Sequence, residues 1–287
     1  MKYSVVIPVY NTVDDCLKIV SKFESILLDR KDIEFIIIDD GSVSGCCKDI
    51  FDKYHIYYFY QNNQGVSKAR NKGLLQATGE YVLFWDSDDY FSENIFSELD
   101  SQINSNVDFI TTAYKKVIDN GKKVKNYKNT NDIISSSEFT KSVFLKKSNL
   151  NICACIISMR IIKENNIKFS NEITHCEDLL FLFTCLKYSK KIQKINFVSF
   201  HYLYRSDSAM NSKITIKNFT VFDALFEIYS MYENTHKSEV AYYIKSHCIL
   251  FFLKMKKDSA SNSLIDLYRD RILFYSDIRT KGFYKYT

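Results

Sequence analysis

The chain has 287 residues, enough for one large domain or one domain with an appendage, and its 46% hydrophobic and 25% charged content is that of a globular protein with a sizeable core. A net charge of +5 is too weak to argue for nucleic acid, no uninterrupted run of about 18 apolar residues exists to cross a membrane, and nothing before Pro8 resembles a signal peptide. Eight cysteines without a Cys-x-x-Cys pair read as reduced core residues of a cytoplasmic protein rather than as a zinc site.

Tyr3–Ile7 reads as a buried strand, followed by a helix over Asp14–Leu28 with apolar residues at helical spacing. Glu34–Ile38 is a second strand running into Asp39-Asp40-Gly41-Ser42, and Ile56–Tyr60 is a third. Ser67–Thr78 reads as a helix closed by Gly79 at C′. Tyr81–Trp85 is a strand ending in Asp86-Ser87-Asp88-Asp89, and a helix over Glu93–Ile103 and a strand over Val107–Tyr114 follow. Strands alternating with helices predict a mostly parallel α/β sheet. Residues 115–136 are rich in Lys and Asn and predict a mobile loop or an exposed hairpin. Further on, Ile152–Ser158 reads as a strand, Asp178–Leu186 as a helix and Phe197–Tyr204 as a strand. From Thr215 to about Tyr275 the pattern is helical. The expected division is a catalytic domain over 1–212, in halves 1–115 and 116–212, and a helical C-terminal region over 213–287.

Five of the seven Gly and the only Pro fall before residue 80, so the special backbone chemistry is concentrated in the first third. The polar loops at Asn11, Asp39–Ser42, Asn62–Gly65 and Asp86–Asp89 all follow strands. In open α/β sheets ligands bind outside the carboxyl ends of strands, so these loops predict one site.

Asp86-Ser87-Asp88 sets two carboxylates at i and i+2, where they can reach one divalent cation and a nearby ribose; Mg²⁺ and Mn²⁺ take oxygen ligands from one or two carboxylates plus substrate phosphates. A solvated acidic turn, or a cap for the next helix, is the alternative. Asp39 can accept the imide N–H of a uracil ring, although a strand-to-helix turn with Asp40 or Ser42 as cap would look the same. Pro8-Val9-Tyr10-Asn11 offers backbone groups to a base edge and Tyr10 to stack on it, against a simple turn. In the segment from Asn63 to Asn71, the guanidinium of Arg70 suits a phosphate or carboxylate, with a surface ion pair as the competing reading. Trp85 reads as core.

Together, Val5-Val6-Ile7-Pro8-Val9-Tyr10-Asn11, Ile36-Ile37-Ile38-Asp39-Asp40-Gly41-Ser42, Asn63 to Gly73, and Gly79 to Asp89 resemble the inverting family 2 glycosyltransferases, in order, spacing and residue type. The resemblance covers about residues 1–115 and implies the GT-A fold, an α/β Rossmann-like sheet flanked by helices, here with a C-terminal helical appendage. It implies that Asp39 contacts uracil, Arg70 contacts the donor, Asp86 lies near the ribose and Asp88 binds the metal. Asn63 and Ser87 fall in the matched donor segments. Val43-Ser44-Gly45 departs from the more common Thr-Asp after Asp-Asp-Gly-Ser, at a position read as a structural cap.

Glu177-Asp178-Leu179-Leu180-Phe181 resembles the family's second half-signature. An inverting transfer needs a base for the acceptor hydroxyl proton, and the match implies Asp178, with Glu177 positioning it or binding acceptor. Acids favoured by a helix dipole are the alternative. His201-Tyr202-Leu203-Tyr204-Arg205 with Ser208 is similar to the family's closing segment; it implies Arg205 facing the diphosphate on a flap, and His201 as a third metal ligand or simply a sheet-facing His.

The expected activity is transfer of a hexose or N-acetylhexosamine from a UDP-sugar, with Mn²⁺ or Mg²⁺, to a glycan or lipid-linked glycan hydroxyl in surface-polysaccharide synthesis. The basic, aromatic C-terminal helices predict core packing, a homodimer interface, or a peripheral contact on the inner face of the plasma membrane. A nucleotidyltransferase would show a Gly-rich turn after the first strand, where this chain has Pro-Val-Tyr-Asn. A non-catalytic sugar-nucleotide-binding subunit is the other alternative, and the presence of Asp86, Asp88 and Asp178 argues against it.

Overall fold

The computed structural model describes residues 1–43, 56–104, 107–118, 121, 123–204 and 213–276. Strand β1 (Tyr3–Val9) leads to α1 (Val13–Asp29), which buries Cys16, Val20, Phe23 and Leu27 on one face. Strands β2 (Ile33–Asp39) and β3 (Ile56–Tyr60) precede α2 (Val66–Gln76), and β4 (Tyr81–Phe84) follows. β1 and β2 are apolar along nearly their whole length, as expected of strands covered on both faces.

The short β5 (Tyr90–Phe91), α3 (Ile95–Gln102) and β6 (Phe109–Ile118) come next. The Lys- and Asn-rich stretch is the exposed hairpin of the two expected forms: β7 (Lys123–Tyr127) folds back on β6, and Tyr127 stacks on Tyr114 at 4.4 Å. β8 (Asp132–Ser135) runs into α4 (Ser136–Phe144), a helix the hydrophobic pattern did not reveal. Its signal was local, since Ser135 and Glu138 form a capping box. Ile152–Ala154 is a 3₁₀ turn before β9 (Cys155–Ser158), so the expected strand begins later. α5 (Met159–Glu164), α6 (Glu177–Tyr188), β10 (Lys191–Leu203), and the helices α7 (Thr220–Tyr232), α8 (Lys237–Lys257) and α9 (Asn262–Ser276) complete the described chain.

One sheet has the order β3-β2-β1-β4-β9-β6-β10-β5, with β7 beside β6 and β8 beside β10. The first four neighbours are parallel, as the βα alternation predicts. The second half is mixed, because β9 inserts antiparallel between β4 and β6. Crossing β9 lets two half-sheets share one core, in which Trp85 is fully buried against Phe23, Phe35 and Phe91. The expectation that Trp85 belongs to the core holds.

Two glycines act through space rather than through the backbone angle. Gly79 is not a left-handed cap: its N–H donates to Ser4 Oγ at 2.8 Å, and a Cβ there would sit 2.7 Å from that oxygen. At Gly73 a Cβ would lie 2.3 Å from Val6 Cγ1, so the missing side chain is what lets α2 press onto β1. Six described cysteines carry free thiols, and Cys46 and Cys47 lie outside the described residues. Among the described residues no helix is long and apolar enough to cross a membrane.

Candidate active site

The parallel register places the ends of β1, β2 and β4 side by side: Val9 pairs with Asp39, and Val6 with Phe84. Their loops are bonded directly to one another. The Asn11 N–H donates to Ser42 Oγ at 2.8 Å, and the Val43 N–H donates to Asn11 Oδ1 at 3.0 Å. Asn11 takes a left-handed conformation, φ 56°, which Asn tolerates better than most residues. The Thr12 and Ser87 hydroxyls lie 2.6 Å apart, which ties the first loop to the Asp86 loop. Gly41, at φ +85°, allows the backbone of Asn63 to approach where a Cβ would lie 2.7 Å from its nitrogen. Tyr10 is 50% exposed at the edge of this cluster, with Pro8 partly buried beneath it.

The two acids of the second loop divide their work. Asp39, fully buried, accepts the Ser42 N–H and the Tyr58 hydroxyl. Asp40 accepts from Gln61 Nε2, the Gln64 N–H and the Gly65 N–H, so it shapes the loop that opens α2. Asp40 thus acts on a different segment of chain, and any helix directly after Ser42 that it or Ser42 was expected to cap lies outside the described residues.

Arg70 is the centre of the arrangement. It is 4% exposed, yet it faces two carboxylates: Nη2 donates to Asp86 Oδ1 at 3.0 Å and Nη1 to Glu177 Oε1 at 3.4 Å. Of the two readings of Arg70 from sequence, the surface ion pair is corrected, because the pair is buried and spans both halves of the chain. Burial works against its charge, but Asp86, Glu177 and Asp178 outweigh that, and its pKa is raised. The guanidinium also lies 5.5 Å from the Phe169 ring.

Glu177 and Asp178 stand on the first turn of α6, launched by Cys176 in a left-handed conformation at φ 64°. An aromatic stack fixes that turn against β4: Phe169 stacks on Phe181 of α6 at 3.8 Å and meets Phe84 of β4 edge-on at 5.1 Å. Burial, and then the charge of Asp178, pushes the Glu177 carboxyl up to about 7, while Arg70 opposes the shift. Asp178 is raised too, by burial first, with Arg70 again opposing. Its Oδ1 accepts the Leu179 N–H at 2.8 Å. Carboxyls held above their ordinary range in a buried polar cluster are suited to proton transfer near neutral pH.

The metal question turns on the donor set. Among the described residues, the ligating atoms of Asp86, Asp89 and Cys153 lie within 4.8 Å of one another. The Cys153 thiol is pushed well above its ordinary range by burial and then by Asp86 and Asp89, so it stays protonated and does not suit a hard cation. Asp89 is buried and accepts the Leu203 N–H at 3.0 Å, a contact that anchors β10. Of the other carboxylates in this loop, Asp86 has its side chain 37% exposed and Asp88 is partly buried. Carboxylate oxygens of this kind, unlike a protonated thiol, suit a hard divalent cation shared with phosphate oxygens.

His201 is not brought to these acids. Its ring stacks on Tyr90 at 5.8 Å, and burial, Lys115 and Lys22 lower its pKa. The next residue on the strand, Tyr202, feels the charge of the acids instead: burial, followed by Asp89, Asp88 and Asp86, pushes its hydroxyl up to about 12. Strand alternation is the reason: adjacent side chains point to opposite faces. Arg205 and Ser208 lie outside the described residues. Sequence reasoning gave no role to Tyr202, nor to Asn71, whose amide bonds both the N–H and the C=O of Phe169. No local pattern marks Asn71, because its partner lies 98 residues away.

Residues 4–165 match the model of glycosyl transferase family 2. The chain belongs to that family. Other members among curated proteins include a poly(ribitol-phosphate) beta-glucosyltransferase of Bacillus spizizenii, 29% identical over 80% of this chain and 36% of that protein. A cholesterol galactosyltransferase of Borreliella burgdorferi is 30% identical over 74% of this chain and 61% of its own length. An uncharacterized glycosyltransferase of Rickettsia felis is 35% identical over 50% of this chain, which spans only 23% of that protein. Among solved structures, residues 1–349 of Staphylococcus aureus TarS in complex with UDP-GlcNAc superpose with a TM-score of 0.67 at 22% identity, over 86% of this chain and 72% of that one. The fold is therefore the family's GT-A arrangement, as the motifs implied.

Proposed function

We propose that the chain is an inverting, metal-dependent glycosyltransferase that moves a hexose or N-acetylhexosamine from a UDP-sugar to a hydroxyl of a glycan or lipid-linked glycan acceptor in surface-polysaccharide synthesis. One observation carries this reading: Arg70 joins Asp86 of the donor loop to Glu177 beside Asp178, so donor acids and a candidate base meet around one guanidinium. Pro8 to Asn11 and Asp39 would receive the uracil ring, and Asn63 and Ser87 border the same mouth. Asp88 and Asp86 would hold Mn²⁺ or Mg²⁺, which supplies a counter-charge to the leaving diphosphate.

Asp178 takes the proton of the acceptor hydroxyl as its oxygen bonds to the anomeric carbon, and the bond from that carbon to the UDP oxygen breaks on the opposite face. Glu177, held by Arg70, positions this acid, and Arg205 is assigned to the diphosphate. The catalytic unit is taken as 1–212, and the helical region as 213–287. Exposed Ile249, Leu250 and Leu253 on α8, followed by Lys256 and Lys257, support a contact of this region with a membrane surface or a second copy. Names of the TarS complexes and of the poly(ribitol-phosphate) glycosyltransferases support a UDP-sugar donor and a polymeric acceptor.

The test is release of UDP from a panel of UDP-sugars with and without Mn²⁺. Wild type is expected to bind and slowly hydrolyse at least one donor, and Asp88→Ala to lose the metal-stimulated part. Binding of no UDP-sugar overturns the reading, and full metal-stimulated activity in Asp88→Ala overturns the metal assignment.

A further inference from the structure

Two cavities lie away from the acids and join. One, of about 660 Å³, opens at the opposite end of the sheet, where β4, β6 and β10 begin, and carries Arg160, Lys163, Lys190 and Lys191. The other, of about 560 Å³, runs along α2 and carries Lys68, Lys72, Lys163 and Lys168. Met159 and Lys163 line both, so the two form one groove. Its upper end is formed by Gln61 and Gln64, the residues that Asp40 holds beside the donor loops.

The groove has a charge surplus. Only two carboxylates line it, Glu80 and Asp108, both in the lower cavity. Asp108 is already engaged by Arg160 and by the Lys190 N–H. Lys68, Lys163, Lys168, Lys190 and Lys191 make no ion pair among the described residues. Cations of one sign gathered in a concave surface focus the field and attract an opposite charge. The shape indicates what kind: the α2 residues that line the groove, Lys68 to Leu75, span about 10 Å, longer than a single small anion needs. Lys68 and Lys72 stand one helical turn apart on the same face, a repeat that suits a repeating charge. Between the cations lie Leu74, Met159, Ile162 and Ile167, an apolar floor for a carbon backbone. Tyr81 is the sole aromatic among the lining residues of the two cavities, so stacking platforms for nucleobases are lacking. A concave groove also fits a chain better than it fits a flat lipid surface.

We propose that this groove binds an extended anionic polymer bearing phosphate or carboxylate groups. This proposal does not rest on the glycosyltransferase reading. The test measures binding of short-chain inorganic polyphosphate and of oligogalacturonate at about 0.15 M salt, where distant charges are screened. Wild type is compared with Lys163→Ala/Lys190→Ala/Lys191→Ala and with a control of equal charge, Lys213→Ala/Lys217→Ala/Lys237→Ala, three exposed lysines of the C-terminal region. The groove variant is expected to bind at least about tenfold more weakly and the control within about twofold of wild type, since the field is local. UDP-sugar binding is expected to be unchanged in both. The polymer that binds more tightly identifies the charged group. No binding of either polymer, equal loss in the two variants, or tighter binding of single-stranded RNA than of both polymers overturns the proposal. If polymer binds and no UDP-sugar does, the groove stands and the transferase reading fails; if UDP-sugar binds and polymer does not, the reverse holds.

Discussion

Replacing Arg70 by Met keeps a long side chain at a position that is 4% exposed, and removes the cation held 3.0 Å from Asp86 and 3.4 Å from Glu177. At an effective dielectric of about 20, unit charges about 3 Å apart attract by roughly 5 kcal/mol. The Asp86 side chain is 37% exposed, so water screens that pair, and the effect falls mainly on Glu177, which is 13% exposed. Removing one partner of a buried pair costs about 3–5 kcal/mol, because the other charge is left uncompensated. The loss depends on pH. Burial already lifts Glu177 to about 7, and without Arg70 it rises further. A raised carboxyl contributes stability that is fully present below its unfolded pKa and is lost as pH rises through the folded one. Arg70→Met is therefore expected to lose about 3–5 kcal/mol near pH 8 and clearly less near pH 5, where Glu177 and Asp178 take up protons instead. Urea unfolding at the two pH values measures both. A loss under about 1 kcal/mol at pH 8, or one that does not change with pH, would refute the buried network.

Asp178→Asn is expected to bind UDP-sugar as wild type does and to lose transfer by a factor of at least about a hundred, the usual span for a removed general base. Near-normal transfer places the base elsewhere. Gly73→Ala should unfold several degrees lower in a thermal scan, since its Cβ would lie 2.3 Å from Val6 Cγ1 and overpacking costs about 1–3 kcal/mol; an unchanged Tm means α2 can move off β1. Tyr202→Phe, which removes a hydroxyl that feels the charge of Asp89, Asp88 and Asp86 while keeping the ring, should weaken metal-dependent donor binding and spare the fold. A variant identical to wild type in both removes Tyr202 from the site.

The N-terminal, parallel half was legible because its signals are local. Apolar runs as short as Tyr3–Ile7 must be strands, and each ends in a polar cluster, so the parallel sheet and its loaded edge follow from chain order. The mixed half was less legible. β9 is short and pairs antiparallel with strands far from it in sequence, and nothing in Cys155–Ser158 declares its direction. The residues of α4 held a capping box that pattern reading passed over.

The sequence by itself determined the family, the order of the strands that carry Asp39, Asp86 and Asp88, and the pairing of Glu177 with Asp178 at a helix start, because these depend on spacing along the chain. Only the tertiary structure decided that Arg70 is buried between Asp86 and Glu177, that Tyr202 rather than His201 feels the charge of the acids, and that Asp40 is spent on shaping the loop before α2. The physical reason is that burial, strand facing and long-range pairing are set by packing. An arginine reads the same in sequence at the surface and at the centre of a site; here the aromatic stack of Phe84, Phe169 and Phe181 closes the two halves around it.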